Sequence, residues 1–354
     1  MADIALMLEG QENLTWERWF RFAEAADTLG LEGLFRSDHL TALNGESGRE
    51  TLALWPSLTA LALRTERIRF GPLVTSITFR HPALVAKMAA SIDDLSRGRL
   101  DLGIGAGWFA REHEMFGIAF PPHQERIQRL DEGAGVVRAL WSGEETTTAG
   151  PHYPLDRARN LPLPNNPNPP LIMGGKGDRT LRVVAQHATE WNFSYSTLAH
   201  FVERSAELDR ACEEVGRDPK DIRRSMMLPF AIGRTDEDVK AHIAAHRETF
   251  TDLPESPAEW REVGFLIGSP SAIVEQIGER VAAGVSRFML QQNALDDVDS
   301  VALLASDVMP LVSPTAASRL IDRRDNSCPR DDERPQPWRP SSAPGSEGAQ
   351  DSAV

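Results

Sequence analysis

Short apolar runs that recur along the whole chain, most followed by an amphipathic helix, constrain this sequence more than any other feature. The first is DIALML at residues 3–8. Residues 15–29 then place Trp16, Trp19, Phe20, Ala23, Ala26 and Leu29 at helical spacing, and Gly30 stands where a left-handed helix cap is expected. The same cycle predicts strands at 33–36, 68–74, 100–104, 170–173, 190–193, 224–232 and 286–291. Helices are predicted at 52–64, 82–95, 123–141, 178–187, 198–215, 271–283 and 297–309. Strands this short and apolar on both faces belong to parallel sheets covered by helices. Eight βα units in about 310 residues match a closed (β/α)8 TIM barrel with insertions. A doubly wound open sheet is the alternative.

Two segments break the rhythm. Residues 142–169 hold Pro151, Pro154, Pro162, Pro164, Pro167 and Pro169, which predicts a loop or hairpin rather than a helix. From 314 the chain turns to Pro, Ser, Gly and charge with little to bury, so residues 1–313 read as the barrel and 314–354 as a disordered tail. A net charge of −14 argues against nucleic acid, because phosphate neutralisation needs a basic face. No run approaches the ~18 apolar residues of a membrane span, and the first residues lack the basic region of a signal peptide. Cys212 falls in a helical stretch and Cys328 in the tail, which implies neither a disulfide framework nor a cysteine metal site. A cytoplasmic protein without metal is expected.

In a closed barrel the residues just after each strand form the active site. Glu9 follows the first strand, Asp38 and His39 the second, GIGAGWFAREHEMFG the fourth and MGGKGDRT the fifth. His39 is the only histidine in the first eighty residues and could exchange a proton near neutral pH, or be a surface residue bonded to a loop. Asp38 could equally orient its own loop through backbone amides. Gly103, Gly105 and Gly107 let backbone approach something flat, without the dinucleotide-binding spacing. The turn at 174–180 offers two glycines, Lys176 and a helix N-terminus to an anion, or is an ordinary βα turn. His242 and His246, four apart on a helix, lack a third ligand and read as an exposed face rather than a metal pair. Trp55, Trp108 and Trp191 read as core.

Together these blocks resemble the luciferase-like monooxygenase superfamily, in particular its branch using the deazaflavin coenzyme F420. The resemblance runs from residue 3 to about 310 through FRSDH, RIRFGPLVTSITFRHP, SRGRLDLGIGAGWFAREHEMFGIAFPPHQERIQRLDE, PLIMGGKGDRTLRVVAQHATEWN and GSPSAIVEQI followed by AAGVSRFMLQ. It implies a barrel holding an isoalloxazine-like ring in its mouth, with a cis peptide at Leu73-Val74 against one ring face and Thr75 and Ser76 at the ring edge. Asp38 would hydrogen-bond the ring, and His39 would exchange a proton with the substrate. Gly105, Ala106, Gly107 and Trp108 would line the ring, and Met173, Gly174, Gly175 and Lys176 the phosphate-bearing tail. Glu9 matches a carboxylate found in several deazaflavin members and is a second catalytic candidate. Trp108 departs from the pattern: deazaflavin enzymes that oxidise alcohols carry Glu there, so an apolar substrate and reduction of an imine or activated alkene are expected. The resemblance also leaves open a monooxygenase using reduced FMN and O2, and a barrel that binds cofactor without catalysis. It implies a homodimer acting on a small organic molecule.

Overall fold

Eight parallel strands set the frame of the computed structural model, which describes residues 1–43, 48–166 and 168–313. They are β1 (Asp3–Leu8), β2 (Gly33–Arg36), β3 (Arg69–Pro72), β4 (Leu102–Gly105), β5 (Leu171–Gly174), β6 (Glu190–Ser194), β7 (Arg223–Ile232) and β8 (Arg287–Gln291). Neighbours pair from β1 to β3 and from β4 round to β8. The last strand returns to the first, with Leu290 opposite Leu6. Between β3 and β4 the wall is made by the bridge Phe70–Leu100 and by Thr75–Ser76, which pair with Ile104–Gly105. The Leu73–Val74 peptide between these pieces is cis, where the family resemblance puts it. The two backbones approach so closely here that a Cβ on Gly103 would meet Pro72 O at 2.2 Å. The chain is therefore a (β/α)8 barrel, and the open-sheet alternative is excluded by the β8–β1 pairing together with closure of β3 on β4 through Phe70–Leu100.

The covering helices are α1 (Trp16–Leu29), α2 (Leu54–Arg64), α3 (Pro82–Leu95), α4 (Ala110–Met115), α5 (His123–Trp141), α6 (Asp178–His187), α7 (Leu198–Glu214), α8 (Asp236–Thr249), α9 (Pro257–Glu262) and α10 (Pro270–Ala282). Their apolar stripes pack on the strands in one large core that takes in Trp19, Trp191 and Trp260. A smaller core of Ala5, Met7, Phe35, Leu73, Ile172, Met227 and Met289 fills the barrel itself. Beneath it, at the strand N-termini, Arg287 donates to Glu32, Asp101 and Glu190. Arg287 is 1% exposed, so this cluster plugs the barrel floor with charges that satisfy one another.

Two departures from the sequence reading matter for the site. Residues 233–269, which hydrophobic periodicity left unassigned, form α8, α9 and a strand, Leu266–Gly268, that extends the sheet beside Phe230–Ile232. The histidines expected on an exposed face of α8 are buried instead. Val239, His242, Ile243 and His246 make one inward stripe at 3.6-residue spacing. Ile232 N donates to His242 Nδ1 at 3.1 Å, so neutral His242 carries its proton on Nε2. That Nε2 lies 3.0 Å from His246 Nε2, which accepts. With one Nε2 protonated and the other accepting, the pair holds a proton between its rings rather than a metal. Residues 142–169 contain the expected hairpin, Thr146–Thr148 with Leu155–Ala158. Pro167 and the tail from 314 lie outside the described residues. Among the described residues no helix is long and apolar enough to cross a membrane.

Candidate active site

Strand C-termini converge on a cavity of about 1070 Å³. Glu9, Asp38 and His39, Leu73, Val74 and Ser76, Gly105, Ala106, Gly107 and Trp108, and Gly174, Gly175 and Lys176 all line it. The barrel thus brings together residues spread over most of its length. Thr75 and Met173 do not reach the cavity. Thr75 stands behind the wall, its Oγ1 donating to Asp38 Oδ2 at 2.6 Å. Met173 is buried in the outer core, because successive residues of a strand face opposite ways and Ile172 takes the inward position.

The polar groups of the cavity are held from behind. Arg80 grips Asp38 with Nη1 at 2.5 Å from Oδ2 and Nη2 at 3.3 Å from Oδ1, so this carboxylate is already neutralised. Glu9 accepts from Gln291 Nε2 at 2.5 Å and from Gln11 Nε2 at 2.9 Å. Tyr195 donates its hydroxyl to the same Gln291, and burial, then the charge of Glu9, hold its phenol well above the usual range. Ser76 and Thr78 share a 2.6 Å hydrogen bond, and Thr78 bonds His113 Nε2 at 2.6 Å. His113 Nδ1 lies 2.9 Å from Phe109 O and must donate to it. The chain of donors then runs from Ser76 through Thr78 to His113, which leaves Ser76 Oγ as an acceptor toward the cavity.

His39 sits on the loop after β2, its ring edge-on to Trp108 and Phe109. Its Nδ1 is 3.0 Å from Glu112 Oε1 and 3.2 Å from Oε2, and Leu40 N donates to Oε2 at 2.9 Å. Burial pulls the His39 pKa down, but the hydrogen bond and charge of Glu112 outweigh it and the pKa is raised. Sequence reasoning did not single out Glu112. The only signal is its place one turn beyond Trp108 in GWFAREHE, which has meaning once α4 is known to lie over the His39 loop.

The two sides of the cavity differ in chemistry. One is nearly all backbone: Gly105, Ala106 and Gly107 on the β4 side, and Gly174, Gly175 and Gly177 before α6. Gly107 has φ 77°, and a Cβ there would meet Ser76 Oγ at 2.4 Å. Gly177 caps α6 without a side chain, so the amides of its first turn face outward for a ligand. Lys176 stands beside them, its pKa lowered by burial. Arg126 and His123 line the cavity too. A flat ring carrying an anionic tail fits this side. The other side is mostly apolar, lined by Leu43, Trp108, Phe109, Phe250, Leu253, Val263 and Phe265, with Asp252 among them. Trp108, expected in the core, is 64% exposed here, whereas Trp55 and Trp191 are buried as expected. The segment 250–265 supplies much of this side, and no described residue of 142–169 reaches the cavity, because the hairpin is tied back to α5 by Glu132 at the amides of His152 and Tyr153. Residues 44–47, just beyond Leu43, lie outside the described residues.

Fold and site together define a (β/α)8 barrel whose strand C-termini enclose one two-sided cavity, glycine-rich on one side and aromatic on the other. The chain belongs to the luciferase-like monooxygenase family, whose model matches residues 3–287. It is 26% identical over 312 residues to an F420-dependent glucose-6-phosphate dehydrogenase of Microbacterium testaceum, covering 82% of this chain and 91% of that one. It is 30% identical over 268 residues, 68% of each chain, to a phthiodiolone/phenolphthiodiolone dimycocerosates ketoreductase of Mycobacterium bovis. Among solved structures, an F420-dependent secondary alcohol dehydrogenase in complex with an F420–acetone adduct superposes with a TM-score of 0.75 at 19% identity, over 89% of this chain and 99% of that one.

Proposed function

We propose that this protein is an F420-dependent oxidoreductase that transfers hydride between the reduced deazaflavin and an uncharged, largely apolar organic substrate, in the direction of reducing a C=N or activated C=C bond. The carrying observation is the division of the cavity, with a glycine-and-amide side ending at Lys176 and an aromatic side reaching His39. Relatives named F420-dependent over four-fifths of the chain support the cofactor. Bound F420 supplies or accepts a hydride at its ring.

The residues of this chain do the rest. Gly105 to Gly107 and Val74 bound the ring, while Ser76 offers it an acceptor. Asp38, neutralised by Arg80 and Thr75, offers what acceptor capacity it has left. Gly174, Gly175, Lys176 and the α6 amides hold the phosphate-bearing tail. Trp108, Phe109, Phe250 and Phe265 keep water from the substrate side and strengthen every polar contact within it. His39 exchanges the proton. Glu9, already accepting from two amides, keeps Gln291 and Tyr195 in place at the floor. The sugar phosphate of the glucose-6-phosphate dehydrogenases finds no Lys or Arg on the cavity wall between Ser194 and Phe265. A cytoplasmic homodimer completes this reading, supported by the family resemblance.

The test is binding. Titration of the purified protein with F420 and, separately, with FMN is followed by ring absorbance and by quenching of Trp108 fluorescence. The proposal expects saturable F420 binding and anaerobic turnover; preference for FMN, with oxygen consumed in step with substrate, would replace it with a monooxygenase.

A further inference from the structure

We propose that Glu112 is the positioning residue of this site: it grips His39 Nδ1 and the Leu40 amide together, so that Nε2 alone exchanges a proton with substrate and His39 acts as a donor. The inference rests on the reading of the cavity as a hydride-transfer site and adds a residue and a direction to it.

Three contacts converge on one carboxylate, two from His39 Nδ1 and one from Leu40 N. An ionised carboxylate only accepts, so Nδ1 must carry hydrogen. Glu112 is 1% exposed, and among the described residues its ion-pair partner is His39. A buried carboxylate without a countercharge is strongly unfavourable, which favours the pair as imidazolium and carboxylate. The charged groups facing the ring all favour that form. Glu112 comes from α4, Glu9 from the end of β1, and Asp38 is the chain neighbour, itself paired with Arg80 from the segment before α3. Burial opposes them and loses. Nε2 takes no hydrogen-bond partner among the described residues, while the ring lines the cavity.

An imidazolium with Nδ1 tied off has one proton to give. In a two-electron reduction the substrate's π bond breaks, hydride from the reduced cofactor forms a C–H bond, and the Nε2 proton completes the adjacent nitrogen or carbon. The imidazole is left neutral and is reprotonated by water. Alcohol oxidation would need the reverse, a neutral His39 at the start, which the Glu112 charge disfavours. Trp108 closes the ring's edge, and the negative charge stands one turn further on, behind the histidine.

The test is made first on the protein without cofactor. Nitrogen NMR of labelled histidine reads the protonation and tautomer of His39 in wild type, Glu112→Gln and Glu112→Asp. Wild type should hold hydrogen on Nδ1 and titrate above the ordinary value near 6.5. Glu112→Gln should raise the acid dissociation constant about tenfold or more, and Glu112→Asp should recover part of the shift. With F420 bound, the high-pH fall in kcat/KM for reduction should move down by the same interval, with F420 affinity unchanged. An unshifted His39 in a folded Glu112→Gln variant overturns the proposal. If that variant does not fold, a wild-type His39 that titrates at or below the ordinary value overturns it. A normal His39 shift in a protein that ignores F420 supports the positioning role and removes the cofactor reading instead.

Discussion

At His39 the local chain supplies half of a proton donor, and a helix 73 residues further on supplies the other half. Replacing the imidazole by an amide of similar reach tests whether that donor matters. His39→Gln is expected to lower turnover by roughly 10²–10⁴, the usual share of a general acid, with F420 affinity within about threefold of wild type. A variant with wild-type turnover would show that His39 does not deliver the proton. The buried pair His242 and His246 makes the opposite kind of prediction. Burial pushes both pKa values down, His246 well below the ordinary value with a further push from His242. The unfolded imidazoles take up protons below about 6.5 while the folded ones stay neutral. Stability is therefore fully present above that pH and falls on acidification, by up to ~1.4 kcal/mol per pH unit for each histidine. His39, with its raised pKa, has the contrary sign and loses its contribution as pH rises. Urea unfolding at pH 7.5 and 5.5 checks this: His246→Leu should show a smaller drop than wild type by about one proton's worth.

Among the elements, those that periodicity identifies are the ones whose buried faces are apolar. Helix α6, with Leu181, Val183, Val184 and Ala185 inward, begins and ends where the pattern predicts. Helix α8 was not legible because half of its buried stripe is histidine, which counts as polar in any hydrophobic pattern. Helix α4 is six residues long, too short to show a period, and its inward residues are Glu112 and His113. The β4–α4 turn carries the strictest local requirement. Gly107→Ala would place a side chain at φ 77° and 2.4 Å from Ser76 Oγ. The strain is expected to cost about 1–3 kcal/mol. It should also weaken F420 binding, since Ser76 must swing away from the ring. Calorimetric melting and F420 titration measure the two effects separately. Retained affinity with retained stability would show that the turn relaxes without touching the cavity.

For the whole molecule the floor of the barrel is the decisive junction. Arg287 from the last strand joins Glu32 and Asp101, each just before β2 or β4, and Glu190 at the start of β6, and so ties distant strands together electrostatically as well as by hydrogen bonds. Arg287→Leu leaves three buried carboxylates with Arg69 and Arg223 as partners at the edge. A loss of roughly 3–5 kcal/mol is expected, or failure to fold, because uncompensated buried charge is worse than an apolar replacement of the whole cluster. A loss below about 1 kcal/mol in urea unfolding would show that water reaches the floor. The eight βα units, the parallel sheet and the residues after the first, second, fourth and fifth strands were readable from the chain alone, because burial on both faces forces continuous apolar runs and a βα unit can return only one way. The lining of the cavity by Glu9, Asp38, His39, Gly105, Gly107, Gly174 and Lys176 follows from that rule. What only the tertiary structure decided is which distant groups meet. Asp38 is matched with Arg80, His39 with Glu112, and much of the apolar side is built by 250–265. Such pairings depend on how helices are laid across the barrel mouth, and no local period or propensity records a contact between residues that are neighbours only after folding.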